Sequence, residues 1–451
     1  MYLLGVLFIA TGIGLSIALH EIGHLLPAKR FGVKVTQYMV GFGPTVWSRR
    51  RGETEYGVKA IPLGGYVRMI GMFPPARGAD PSRLRSSSTG RFSQLADQAR
   101  AESLQQIQPG DEDRVFYKLS TGKKALVMLG GPVMNLLIAA VLLTGYVTLY
   151  GVLDPDQPTG AKVSTVSSCV VLNPATAPAG EVDCATNPAG PAYAAGIRPG
   201  DRIVSIAGAP VARSADIARA VRPNAGRPLP IQVERDGALL DLTVTPITGT
   251  LPTLDGQGQV VRDAAGAIVT EQAGYMGTTT RPTFALVKQP LGAAPAYLAN
   301  AVANTAGVVL RIPEKMVGVA QAAFGGGERD PNGPVSVVGV GRVAGEKAGG
   351  VLTGSVIDDI DVLPFLIQLL AMLNVALFVF NLIPLMPLDG GHVAGALWEG
   401  LRRRIARARG RPDPGPVDVA RALPFAYVMA VLLIGMSALL IYADIVRPIR
   451  F

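Results

Sequence analysis

Histidine and cysteine are scarce: the chain has 451 residues but three histidines and two cysteines. With two cysteines, at most one intramolecular disulfide is possible, between Cys169 and Cys184. Charge is also sparse. Asp, Glu, Lys and Arg make up 17% of the residues, and several uncharged runs reach the roughly 20 residues that cross a bilayer, so an all-soluble chain is excluded. The net charge of +9 is not accompanied by aromatics interleaved with Lys and Arg, which argues against a nucleic-acid surface. No internal repeat is visible, against the doubled halves usual in transporters. No Lys or Arg precedes the first apolar run and no small-residue cleavage site closes it, so a kept span is expected there rather than a cleaved signal.

The spans and their flanks define the organisation. Four transmembrane helices are expected, within residues 1–26, 125–153, 362–392 and 423–446. The loop 27–124 and the basic loop 393–422, with Arg402–Arg404, face the cytoplasm by the positive-inside rule. Between Asp154 and Thr280 there are 9 Lys/Arg against 12 Asp/Glu, so this region is placed outside the cell membrane. An oxidising compartment there favours a Cys169–Cys184 disulfide.

Within the first loop, "KAIPLGGYVRM" (59–69) reads as strand, Gly-Gly turn, strand. Residues 74–113 are Ser-, Arg-, Gln- and Pro-rich without hydrophobic period, as in a mobile insertion. Outside, 161–248 alternates β-type runs with turn signals, and "RDGA" centres a hairpin on Asp236-Gly237. With "GIRPGDRI" at Gly196–Ile203, the segment resembles a PDZ domain of the bacterial protease type, which binds extended peptide at a sheet edge. Residues 249–361 read as an extracytoplasmic or interfacial segment, because Glu314 and Lys315 interrupt its apolar run.

Two of the three histidines stand in the first apolar run, in "HEIGH". Four residues on a helix is about one turn, so His20 and His24 share a face and can hold one Zn²⁺ through imidazole nitrogens. Glu21, beside the first ligand, can act as general base toward a water that the ion activates. An intramembrane carboxylate costs about 2.5–3.5 kcal/mol on insertion scales. A cation explains it better than chance or core packing does. A catalytic zinc needs a third protein ligand. "NLIPLMPLDGGH" (Asn381–His392) qualifies: Pro384 and Pro387 break the helix, and Gly390-Gly391 allows a tight turn. Asp389 is the only carboxylate there and His392 competes with it, since both ligand types suit zinc.

Together "HEIGH", "GGPVMN" in the second span, the PDZ-like region and "NLIPLMPLDGGH" resemble the site-two protease family of intramembrane zinc metalloproteases, in its bacterial branch like the regulator-of-sigma-E protease. The resemblance spans nearly the whole chain. It implies a polytopic α-helical membrane protein with a membrane-associated β-hairpin loop and an extracytoplasmic PDZ-like α+β domain. It implies zinc on His20, His24 and Asp389, with Glu21 as base. Asn381, Asn374 and the Gly64-Gly65-Tyr66 stretch would hold substrate backbone. The partners implied are the bilayer and single-span membrane proteins, such as anti-sigma factors or signal-peptide remnants, cut near the cytoplasmic side after a first outside cut. A PDZ peptide or substrate ectodomain would dock outside. The alternative is a non-proteolytic PDZ adaptor with a structural metal, for which Glu21 has no use.

Overall fold

The computed structural model describes residues 1–75, 101, 103–170, 184, 187–255, 260–327, 329–330, 333–352 and 359–449. The chain divides into two compact units. One comprises residues 1–146, 290–345 and 366–450, and the other comprises 147–289 and 346–365.

Among the described residues five helices, not four, are long and apolar enough to cross a membrane: Tyr2–Arg30, Thr121–Tyr150, Leu291–Leu310, Val362–Asn381 and Leu423–Val446. The addition is Leu291–Leu310, which the sequence had suggested was interfacial. Its α-helical part ends at Leu310, and a new helix, Ile312–Gly325, starts with Pro313 in its first turn. Glu314 and Lys315 belong to that second helix and interrupt nothing. The chain is a multi-span membrane protein with a mixed helical and sheet soluble region.

In the first unit, α1 (Tyr2–Arg30) packs on two partners at different heights. One turn of small residues meets α7 (Val362–Asn381): a Cβ on Gly12 would lie 2.7 Å from Leu370 Cδ2, and Asn374 donates to Ser16 Oγ at 3.0 Å. Lower on α1 the partner is α2 (Thr121–Gly145). A Cβ on Gly23 would lie 2.6 Å from the Gly130 carbonyl carbon, and one on Gly130 would lie 2.7 Å from that of Gly23. The backbones touch because neither has a side chain, the means by which membrane helices associate closely without a hydrophobic drive.

Two buried ion pairs tie further helices in. Lys124 on α2 bonds both carboxylate oxygens of Glu399 at 2.9 and 2.8 Å, fastening α8 (Asp389–Ala408). Arg329 pairs with Asp444 of α9 (Leu423–Val446), whose other oxygen accepts the Ser336 N–H at 2.6 Å.

The loop after α1 differs from the expected short hairpin. It holds two long antiparallel strands, β1 (Val35–Arg51) and β2 (Thr54–Met69), which turn at Gly52-Glu53. Both strands bend back. Val40 is flanked by Val58 on one side and Gly65 on the other, so four rows form from two strands. Gly64-Gly65 makes no turn; each glycine serves a close approach. A Cβ on Gly64 would lie 2.6 Å from the Phe42 ring. Most of the 74–113 insertion lies outside the described residues.

The second unit is a sheet in the order β10–β3–β4–β6–β7, from Thr278–Val287, Val152–Val166, Arg202–Ile206, Leu229–Arg235 and Ala238–Val244, with β5 (Ala209–Pro210) beside β4. A separate pair, β8 (Ile247–Pro252) and β9 (Thr270–Tyr275), stands apart from that sheet. Period-two alternation puts Ile203, Ile231 and Val233 inward, and α3 (Ser214–Val221) closes the core with Ile217 and Val221. β6 and β7 are joined at Asp236-Gly237, both with positive φ, as the hairpin signal implied. Asp201 of "GIRPGDRI" is buried, accepts the Arg198 N–H at 2.8 Å and pairs with Arg235 at 2.7 Å, so it locks the turn. Cys169 and Cys184 are joined, with Cα atoms 5.3 Å apart.

Candidate metal centre

The two motif histidines project from the face of α1 that crosses α2, and Asp389 arrives from the first turn of α8. His20 Nε2 and His24 Nε2 are 3.3 Å apart, and each lies 3.4 Å from Asp389 Oδ2. Three ligand atoms from distant parts of the chain therefore form a nearly equilateral triangle that can hold a metal ion.

The supports of the three differ. His24 Nδ1 donates to the Val127 carbonyl at 2.8 Å, which leaves Nε2 facing the cluster. His20 Nδ1 lies 3.0 Å from the Asn135 side-chain amide. Asp389 sits in the first turn of α8, where exposed N–H groups and the helix dipole favour a carboxylate. Gly390 and Gly391 stand inside that turn rather than making a loop as expected. A Cβ on Gly390 would lie 2.6 Å from the Leu382 carbonyl carbon, and one on Gly391 would lie 2.7 Å from Met386 N, so they let the preceding segment fold onto the helix.

Glu21 is buried beside the cluster. A Cβ on Gly65 of β2 would meet Glu21 Cγ at 2.9 Å and Oε1 at 3.3 Å, so the strand passes directly over the carboxylate. Tyr38 of β1 donates to the Ala18 carbonyl at 2.8 Å and fastens the same sheet to α1. Burial, reinforced by the nearby Glu21 carboxylate and by Tyr56, pushes its phenol up to about 12, so it stays a donor at any physiological pH.

A family model described as Peptidase family M50 matches residues 8–412. The chain belongs to peptidase family M50. The zinc metalloprotease Rip1 of Mycobacterium tuberculosis is 36% identical over 451 residues, covering 100% of this chain and 99% of that protein. Rip1 of Mycolicibacterium smegmatis is 35% identical over 456 residues, with the same coverage. The chain is thus an intramembrane zinc metalloprotease of the M50 family, with a His-His-Asp cluster suited to a catalytic zinc.

The remaining residues singled out in the sequence are placed unevenly around this M50 centre. His392, the competitor of Asp389, is not part of the cluster; it lines a small cavity with Lys124 and Glu399. Asn381 is the last residue of α7 and is half-buried. Asn374 is fully buried and spans to Ser16 and the Leu370 carbonyl, a helix-to-helix link. Gly65 adjoins Glu21, and Tyr66 stacks on Phe42 with centroids 6.3 Å apart.

Reasoning from chemistry along the sequence missed the stripe Val127, Gly131, Asn135 on α2. A Cβ on Gly131 would fall on both imidazoles, 2.6 Å from His20 Nε2. The spacing of four, within "GGPVMN" and just before it, is the signal that places all three on one helix face.

Proposed function

We propose that His20, His24 and Asp389 hold zinc and that Glu21 is the general base of peptide hydrolysis within the membrane. The donor set is that of a catalytic zinc with three protein ligands. The three ligand atoms lie 3.3 to 3.4 Å apart, close enough that one ion could be held by all of them. When bound, zinc supplies the Lewis acidity that makes a water nucleophilic near neutral pH.

The chain's own residues do the rest. Glu21 accepts a proton from the attacking water and passes it to the departing amide nitrogen. Val127 orients His24 through its carbonyl. Among the described residues the row Gly65–Met69 pairs only with the Val35–Val40 segment, so it stands at the sheet margin beside Glu21. A membrane substrate is helical with its backbone bonds satisfied internally, and cutting it requires a few residues to unwind. Strand addition at this margin replaces the lost bonds. Asn381 is assigned to the same task.

The substrates assigned are single-span membrane proteins, cut toward the cytoplasmic side after an earlier outside cut. Anti-sigma factors and signal-peptide remnants are the classes implied by the resemblance. The second unit is assigned as a PDZ-like peptide or ectodomain reader outside the membrane; among the described residues β10 and β7 stand at the two ends of the strand order, where a strand could be added.

The observation that carries this reading is the burial of Glu21 against the Gly65 strand at the three-ligand cluster. Glu21→Gln should retain metal while cleavage of a tagged single-span substrate falls by about 10²–10⁴. Undiminished cutting removes Glu21 from the mechanism.

A further inference from the structure

His20 and His24 both point Nε2 at the centre of the triangle, so to ligate a metal there each would need that nitrogen free of a proton and its hydrogen on Nδ1. For His24 the partner settles the matter, because the Val127 carbonyl at 2.8 Å can only accept. For His20 the partner is an amide, which can donate or accept. Asn135 Nδ2 lies 3.0 Å from His20 Nδ1, and Asn135 Oδ1 is buried with no hydrogen-bond partner among the described residues. A donor toward Nδ1 would hold the imidazole hydrogen on Nε2, pointing at the metal position. The two ends of an amide have the same shape, and the hydrogen bonding of the ring decides which one faces it. Either orientation leaves one buried end of the amide without a partner, so that penalty does not choose between them. The proton on His20 does.

We propose that Asn135 is a positioning residue whose side-chain carbonyl accepts the His20 Nδ1 hydrogen and so keeps Nε2 available as a metal ligand. The inference rests on the zinc reading of the cluster. The geometry supports a dedicated role. Asn135 is 1% exposed and stands one turn beyond Gly131, whose missing side chain leaves the space both imidazoles occupy. α1 and α2 run antiparallel here, so His20 meets Asn135 while His24 meets Val127. One helix therefore orients both ligands, one through its backbone and the other through a side chain. Groups that hydrogen-bond the far nitrogen of a metal-ligating histidine carry about 10–100-fold in metal affinity.

The test uses the full chain in detergent, with zinc affinity read by chelator competition. Asn135→Leu, similar in volume but with no acceptor, should bind zinc about 10–100-fold more weakly than wild type. Asn135→Asp, which presents only acceptors to Nδ1, should bind at least as tightly as wild type. A donor role predicts the opposite for Asn135→Asp, so a fall matching Asn135→Leu overturns the proposal, as does unchanged affinity in Asn135→Leu.

Should Asn135→Leu not fold, a direct reading remains. The chain has three histidines, so ¹⁵N-histidine spectra of zinc-loaded wild type resolve each tautomer. Hydrogen on Nδ1 of His20 supports the proposal and hydrogen on Nε2 overturns it. If wild type binds no zinc that His24→Ala removes, the zinc site itself falls and this inference falls with it. A failure confined to Asn135 leaves the zinc site standing.

Discussion

The α1–α2 crossing and the core of the β3–β4–β6 sheet hold themselves together by opposite means. The sheet core is built from what side chains fill: Ile203, Ile231 and Val233 are each within 1% of complete burial, and their removal from water is the driving force. At the crossing, lipid surrounds the helices and apolar burial drives little. What matters there is what is missing. Gly23, Gly130 and Gly131 bring two backbones into contact and leave a gap the size of two imidazoles. The sheet should therefore tolerate small changes of volume, while the crossing should tolerate almost none.

Adding one carbon to the crossing is the harshest test. Gly131→Ala places its methyl on both histidine rings, so zinc content and cleavage should both drop to background in the otherwise folded protein. Retention of either would break the comparison. Next comes Lys124→Met, which strands Glu399 in a buried position. Losing one partner of such a pair costs about 3–5 kcal/mol. The retained Arg403 contact, 3.2 Å from Glu399, argues for the lower end. Thermal unfolding in detergent should show it, and an unshifted midpoint would mean that α8 is held by other contacts.

In the sheet unit, Gly237→Ala forces a side chain into φ +78° and should cost about 1–2 kcal/mol, seen as faster hydrogen exchange in β6 and β7. Smallest of all, Ile203→Val removes one carbon from a packed core and should cost about 0.5–1.5 kcal/mol by the same measurement. If one carbon lost from the sheet proved as damaging as one gained at the crossing, the two regions would not differ as described.

Much of the chemistry was legible along the chain because it obeys local rules. His20, Glu21 and His24 are related by one helical turn, and Pro384 and Pro387, two prolines in four residues, disfavour helix between Asn381 and Asp389, where a single proline such as Pro27 or Pro132 is carried inside one. The Asp236-Gly237 hairpin was legible for the same reason. The fifth apolar helix was obscured because Glu314 and Lys315 were counted into its apolar run, although the helix had already stopped at Leu310. Gly64-Gly65 and Gly390-Gly391 were read as turns, since a glycine pair usually marks one. Here each permits close contact with something far off in sequence: Phe42 and Glu21 for the first pair, the Leu382–Met386 backbone for the second.

The order of residues alone determined that this chain crosses membranes and carries a metal-binding helical motif, because hydropathy and a 3.6-residue period need no partner to be expressed. Only the tertiary structure decided how Asp389, the third ligand the family resemblance implied, reaches the two imidazoles, and that Val127 and Asn135 stand behind them. Those choices depend on how α1, α2 and α8 cross, and the crossings are set by glycines whose purpose shows only when the opposing backbone is in place.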